Sequence, residues 1–369
     1  LKVMCVFGTR PEAIKMAPVV LELKSRKNID TIVTVTAQHR EMLDQVLRIF
    51  DIAPDYDLNI FKKGQSLSEI TINSLKGLED VIEKEKPDVL LVQGDTTTVF
   101  SGALAAFYKK VKIGHIEAGL RSDNLYSPYP EEANRRLTSV LSNFHFAPTK
   151  SNKENLLKEG YDEKNIYITG NTVIDALKYA TSKDYEFDEK ILNDLDYEKN
   201  RVILLTSHRR ENLGEPMENI FRAVNDVVNE YEDVEVVFPV HLNPKVREVA
   251  KKVFDKNEKV HLIEPLDYLP FSNLMKKVYL VVTDSGGIQE EAPALGKPVI
   301  VVREETERME GVEANTAVLV GSDYNKIYKN LKDLLDNKDK YHEMAHAVNP
   351  YGDGKAAKKI IDILEKELG

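Results

Sequence analysis

Three acidic segments in this chain carry residue types suited to proton transfer. Asp95 lies in Gln93-Gly94-Asp95-Thr96-Thr97-Thr98, after an apolar run. Glu117 closes the next one, in His115-Ile116-Glu117-Ala118-Gly119-Leu120-Arg121. The Pro-rich loop Tyr126-Ser127-Pro128-Tyr129-Pro130 then stops at the pair Glu131-Glu132. Carboxylates gathered on one rim raise one another's pKa and leave a usable general base near neutral pH. Each acid also has a plainer use: Asp95 as a helix cap, and the Glu pair as a helix start favoured by the dipole.

A second group of residues suits anions. Gly8-Thr9-Arg10-Pro11-Glu12 ends the first apolar run, with glycine for the turn, proline for the first helical position and Arg10 beside a helix N-terminus. It lacks the Gly-Lys-Ser/Thr ending of a P-loop. His208 sits in Thr206-Ser207-His208-Arg209-Arg210-Glu211-Asn212, where its neighbours point to an anion contact. Asp284-Ser285-Gly286-Gly287-Ile288-Gln289-Glu290-Glu291 joins a strand to a helix, so free amides at the helix N-terminus suit a pyrophosphate. Glu291 could accept from ribose hydroxyls, and Arg303 and Arg308 could add positive charge. His342-Glu343-Met344-Ala345-His346 matches H-E-x-x-H, with Glu365 downstream, but short motifs match by chance and the segment lies away from the strand ends. No metal is expected.

These residues must be held by something, and the apolar pattern says what. Short β-branched runs alternate with helix-period segments: Val3 to Phe7 before Pro11 to Ser25, Val89 to Val92 before Thr98 to Tyr108, Val202 to Thr206 before Met217 to Tyr231. Strands apolar on both faces imply parallel sheets covered by helices. The charged stretch Thr181 to Arg201 interrupts the series and reads as a domain link. The expectation is therefore an α/β protein of two doubly wound Rossmann-like domains, 1–175 and 200–350, facing a common cleft, with a last helix in 351–369. Ligands bind at the carboxyl ends of such sheets.

Composition narrows the function classes. Among 369 residues, 51 Lys plus Arg against 61 Asp plus Glu give a net charge of −10, which argues against nucleic-acid or anionic-membrane binding. The single cysteine, Cys5, excludes an internal disulfide framework and fits a reducing compartment. Apolar runs such as Val278 to Val282 are too short to span a bilayer. The opening residues read as a strand rather than a leader. A soluble cytoplasmic protein is expected.

Taken together, the segments above, with Tyr129-Pro130-Glu131-Glu132 and Asn349-Pro350-Tyr351-Gly352-Asp353-Gly354, resemble the non-hydrolysing UDP-N-acetylglucosamine 2-epimerases along nearly the whole chain. The resemblance implies a GT-B-like fold, UDP held mainly by the second domain, a C-terminal helix crossing back to the first, and a homodimer. It matches Asp95, Glu117 and Glu131 to the family's catalytic acids and His208 to its essential histidine. It matches Arg10, Lys15, Phe271, Ser285, Gly286, Gly287, Glu291 and Arg308 to nucleotide-sugar contacts, and His241, in Pro239-Val240-His241-Leu242-Asn243-Pro244, to a residue lining the cleft. Bacterial members also bind a second UDP-GlcNAc as activator near the segment equivalent to Ala37-Gln38-His39-Arg40. Gln38 and His39 match there, while Glu41 and Gly64 stand where some relatives have glutamine and arginine.

The implied reaction, UDP-GlcNAc to UDP-ManNAc, explains the residue types. The sugar C2 proton is not α to a carbonyl, so it becomes acidic only as UDP leaves C1. Elimination to 2-acetamidoglucal and re-addition then require carboxylates, donors for the departing diphosphate and protection from water. No redox cofactor is needed. A glycosyltransferase of the same fold would differ by needing an acceptor, a nucleotide-sugar sensor by leaving its ligand unchanged, and a hydrolysing epimerase by releasing free ManNAc.

Overall fold

Seven parallel strands make the first sheet: β1 (Lys2–Phe7), β2 (Asp30–Val35), β3 (Tyr56–Asp57), β4 (Val89–Gln93), β5 (Lys112–Ile116), β6 (Phe144–Ala147) and β7 (Ile166–Ile168). Their order is β3-β2-β1-β4-β5-β6-β7 in the computed structural model, which describes residues 1–369. Val3 to Phe7 and all of β4 are buried, as in a sheet covered on both faces. The order reverses between β1 and β4, which pair with Val3 opposite Val89 and Cys5 opposite Leu91. Loops leaving these two strands diverge and open a crevice at the sheet's carboxyl end.

Helices Arg10–Ser25 and Thr97–Tyr108 follow those loops. The first starts with Pro11 in its opening turn, and Glu12 reaches back to accept from the Thr9 amide at 2.8 Å. Helix Leu67–Glu85 was not among the expected elements. Its start is a capping box: Ser66 Oγ accepts from the Glu69 amide at 3.2 Å, and Glu69 accepts from the Ser66 amide at 2.7 Å.

Helix Ala356–Leu368 completes this unit, which comprises Leu1–Tyr179 and Tyr351–Gly369. Ile360, Ile361 and Leu364 are buried on one face. Asp175 accepts from the amides of Ala356 and Ala357 at 3.2 and 2.9 Å, satisfying two donors at the helix start. Arg26 ties the same helix to Arg10–Ser25 by donating to Asp362 at 2.8 Å and Glu365 at 3.0 Å.

The second unit, Ala180–Pro350, is built on β8 (Arg201–Thr206), β9 (Val234–Pro239), β10 (Val260–Ile263), β11 (Leu280–Thr283), β12 (Val299–Val301) and β13 (Ala317–Leu319). All are parallel, in the order β10-β9-β8-β11-β12-β13. Here the reversal falls between β8 and β11. Leu280 pairs with Ile203 and Thr283 with Thr206, whose hydroxyls meet at 2.7 Å, so the two strands end level. Its core includes Phe221, Phe238 and Phe254, with Phe221 edge-on to Phe238 at 5.1 Å.

The stretch Thr181 to Arg201, expected to be a domain link, falls within this second unit. It forms a short helix, Lys190–Asp194, and buries Phe187 and Leu192. Asn273 donates to the Ala180 carbonyl at 3.0 Å and Lys276 to that of Thr181 at 2.7 Å. The apolar residues among the charges decide the outcome, because they give the segment something to bury. No helix is long and apolar enough to cross a membrane.

Candidate active site

A cavity of about 550 Å³ opens where β1 and β4 end. Arg10, Lys15, Gln38, His39, Asp95, Glu117 and Glu131 all line it. Glu117 follows β5 with φ +67°, a left-handed conformation that is rare for a residue with a long side chain. Lys15 ion-pairs with its Oε2, and Gln93 donates to the same oxygen at 2.8 Å. Gly119, two residues on, has φ +86° and lies so close to Asn152 that a Cβ would stand 2.2 Å from the Asn152 carbonyl oxygen. The turn that presents Glu117 therefore requires glycine there.

Asp95 is held from helix Glu131–Leu141. Arg135 donates through Nε to Asp95 Oδ2 at 3.1 Å and through Nη2 to the same oxygen, while Asn134 donates to the Asp95 carbonyl at 3.0 Å. Burial pushes the Asp95 carboxyl above its ordinary range; the Arg135 charge pulls it back, and Glu117 pushes it up again. Of the adjacent acids, Glu131 lines the cavity, whereas Glu132 is fully buried. Glu132 accepts from Arg135 at 2.9 Å, Arg136 at 2.8 Å and the Ser122 amide at 3.0 Å. Its carboxylate is fully occupied in holding the helix.

Gln38 and His39 lie on the loop after β2. Gln38 accepts from Thr98 at 3.0 Å, and the His39 amide donates to the Gly8 carbonyl at 3.2 Å.

A smaller cavity of about 180 Å³ lies at the ends of β8 and β9 in the second unit, lined by His208, His241, Phe271 and Ser285 among others. The two imidazoles stack with centroids 5.5 Å apart. His208 Nδ1 is 3.2 Å from Oδ1 of the buried Asp284. Gly286 and Gly287 open helix Gly286–Ala294, and no side chain caps its first turn. A Cβ at Gly286 would stand 2.7 Å from Arg308 Nη1, so glycine allows the guanidinium to lie against the backbone; at Gly287 a Cβ would meet nothing. Arg308 also donates to Glu290 at 2.9 Å.

Gly286, Gly287, Glu291 and Arg308 do not line the small cavity, although they share or adjoin its helix. Arg303 is mostly buried and bound to Glu211 at 2.9 Å and Glu307 at 3.0 Å, a structural rather than an anion-facing arrangement. His346 Nδ1 is 2.9 Å from the His342 carbonyl, and Glu365, in the first unit, accepts from Arg26 and Asn28.

A family model described as UDP-N-acetylglucosamine 2-epimerase matches residues 21–365. The UDP-N-acetylglucosamine 2-epimerase of Bacillus subtilis is 57% identical over 364 residues, covering 99% of this chain and 95% of that protein. The chain belongs to the UDP-N-acetylglucosamine 2-epimerase family. Its architecture is that of solved 2-epimerases. The Neisseria meningitidis UDP-GlcNAc 2-epimerase, solved bound to UDP-GlcNAc, superposes with a TM-score of 0.86 at 52% identity, covering 99% of this chain and 100% of that one. The Methanocaldococcus jannaschii UDP-GlcNAc 2-epimerase, solved with UDP-GlcNAc and UDP, does so with a TM-score of 0.76 at 37% identity, covering 99% and 100%. Two parallel-sheet α/β domains of GT-B type are thus shared across the 2-epimerases.

Several residues around these cavities escaped the sequence reading. Arg135 and Gln93 act on the acids directly. His115 is buried, kept neutral by burial with its pKa near 3, and its Nε2 lies 2.7 Å from the Gly94 carbonyl, fixing the loop before Asp95. Burial pushes the Glu12 carboxyl up to about 7 at the wall of the larger cavity. Only Glu12 left a local signal, the Thr9-x-x-Glu12 spacing of a capping box.

Proposed function

We propose that this chain interconverts UDP-GlcNAc and UDP-ManNAc by inverting C2 of the sugar through elimination of UDP and its re-addition. The observation that carries the reading is the gathering of Asp95, Glu117 and Glu131 with Lys15 and Arg10 around one cavity. Supply of ManNAc-type units to surface-polysaccharide or glycan synthesis, and assembly as a homodimer, belong to the same reading.

The C1–O bond breaks with its electron pair going to the diphosphate. The C2 proton passes to a carboxylate, and a C1–C2 double bond forms. A second carboxyl then delivers a proton to the opposite face of C2 as the diphosphate oxygen returns to C1. One group must begin ionised and another protonated, so the acids need unlike environments. They have them: Asp95 lies against Arg135, Glu117 against Lys15 and Gln93, and Glu131 is not ion-paired. In the second unit, His208 and the uncapped start of helix Gly286–Ala294 supply donors for the diphosphate, where preorganised dipoles contribute most. Phe271, Ser285, His241, Glu291 and Arg308 complete the nucleotide contacts in this reading, and Gln38 and His39 mark the place of an activating second nucleotide-sugar.

The test is incubation with UDP-GlcNAc in deuterium oxide, followed by proton NMR. UDP-ManNAc carrying deuterium at C2 is the expected product. Product that keeps its original C2 proton would exclude elimination. Consumption only on addition of an acceptor would identify a glycosyltransferase, and free ManNAc a hydrolysing enzyme.

A further inference from the structure

β8 and β11 end side by side, so the residues just beyond Thr206 and Thr283 face one another. Asp284, the first residue after β11, is wholly buried there. Its Oδ2 accepts from Ser207 Oγ at 2.9 Å, from the amides of His208 and Arg209 at 2.9 Å each, and from Asn212 at 3.1 Å. That is a dense set of donors on one oxygen. Oδ1 is buried and accepts no other hydrogen bond, and His208 Nδ1 lies 3.2 Å from it, at ion-pair distance. An acid so buried would ordinarily be pushed up, but His208 and the two amides hold it below the usual carboxylate range.

We propose that Asp284 is the positioning residue for His208: it accepts from Nδ1–H, fixes the ring and its tautomer, and leaves Nε2 as the nitrogen offered to the diphosphate. This rests on the functional reading above for what His208 meets. The logic is that of a carboxylate orienting a catalytic imidazole and balancing its charge when it is protonated. The neighbouring His241 provides an internal contrast. Its Nδ1 accepts from the Asn243 amide at 3.1 Å, so a neutral His241 carries its proton on Nε2. The stacked rings should thus hold opposite tautomers. The charged and titratable groups around His208 are Asp284, His241 and Arg209, whose Nε donates to the Asp284 carbonyl at 3.3 Å.

Asp284→Asn makes a sharp case. Four donors already converge on Oδ2, so the asparagine oxygen must serve them and its NH₂ must face the imidazole. His208 Nδ1 would then have to accept, moving the proton to Nε2.

The experiment is nitrogen-15 NMR of the full-length protein with labelled histidine, at a pH where the rings are neutral, with His208 assigned by its absence in His208→Gln. The expected result is Nδ1–H at His208 and Nε2–H at His241. In Asp284→Asn, His208 should switch to Nε2–H and kcat for epimerisation should fall by at least about 10²-fold with little change in KM. Nε2–H at His208 in the unaltered protein overturns the proposal, as does Asp284→Asn with normal kcat. Should Asp284→Asn fail to fold, the tautomer in the unaltered protein decides alone. Turnover of UDP-GlcNAc by the same sample separates the two readings: Nδ1–H in an inactive protein overturns the assigned reaction and leaves the pairing standing.

Discussion

Arg135 stands 3.1 Å from the Asp95 carboxylate across 40 residues of sequence, and its other arm lies 2.9 Å from Glu132. One guanidinium thus joins the loop after β4 to the helix that begins at Glu131. The strut fixes Asp95 to the helix that begins at Glu131, which makes the separation of these two acids a property of that helix rather than of a flexible loop.

Removing the strut should affect both chemistry and stability. Arg135→Met should lower kcat by roughly 10²-fold, the scale of a misplaced catalytic group. The desolvated Asp95 loses the cation that draws its pKa down, so the pH–rate limb belonging to it should move to higher pH. Leaving buried acceptors unpaired should also cost about 1–3 kcal/mol of unfolding free energy, read by urea titration. An unmoved pH–rate profile would deny Arg135 any electrostatic role.

Replacing each acid separately tests the proton-transfer set. Asp95→Asn, Glu117→Gln and Glu131→Gln should each reduce kcat by roughly 10²–10⁴-fold. Near-normal turnover in any one of them removes that residue from the set. Deuterium uptake at C2 measured without net conversion would show which variant still takes the proton but cannot return it.

Glu117 holds a left-handed backbone, so its replacement separates function from strain. Glu117→Gly and Glu117→Ala both remove the carboxylate. The glycine variant should be the more stable of the two by about 1 kcal/mol, because only alanine keeps the steric penalty. Equal melting temperatures would mean that the backbone relaxes out of this conformation once the side chain is gone.

Glu12 gives a pH dependence of defined sign. Its folded pKa, about 7, exceeds the ordinary value of 4.5, so between these values the native state binds the extra proton. Stability from this group is fully present below about 4.5 and is lost as the pH rises through 7. Glu12→Gln removes the titration while keeping an oxygen for the Thr9 amide. Its melting temperature relative to the unaltered protein should rise across that window, and parallel curves would show that Glu12 does not titrate there.

Strand and helix alternation was legible because a doubly wound sheet repeats its own pattern: buried β-branched runs, a turn, an amphipathic helix. From that alternation the strand ends, and hence Arg10, Asp95, Glu117 and His208, could be found. Helix Leu67–Glu85 was missed although Ser66 and Glu69 mark its start, since the strand before it, Tyr56–Asp57, is only two residues long and leaves no apolar run to announce it. Arg135 and Asp284 were out of reach for a different reason. Each acts on a residue 40 or 76 positions away, and only strand order brings such partners together. Choosing Glu131 over Glu132 rested on family resemblance, although Arg135 and Arg136, three and four residues on, are a local sign that Glu132 is engaged on its own helix.

The first unit is made from two stretches of chain, with the whole of Ala180–Pro350 intervening. A ribosome therefore delivers the helix that covers Arg10–Ser25 only after the second unit has been synthesised. At usual elongation rates that is a delay of roughly 10–30 s. During it, the surface that will receive Ile360, Ile361 and Leu364 lacks its cover, while the second unit already has all its parts.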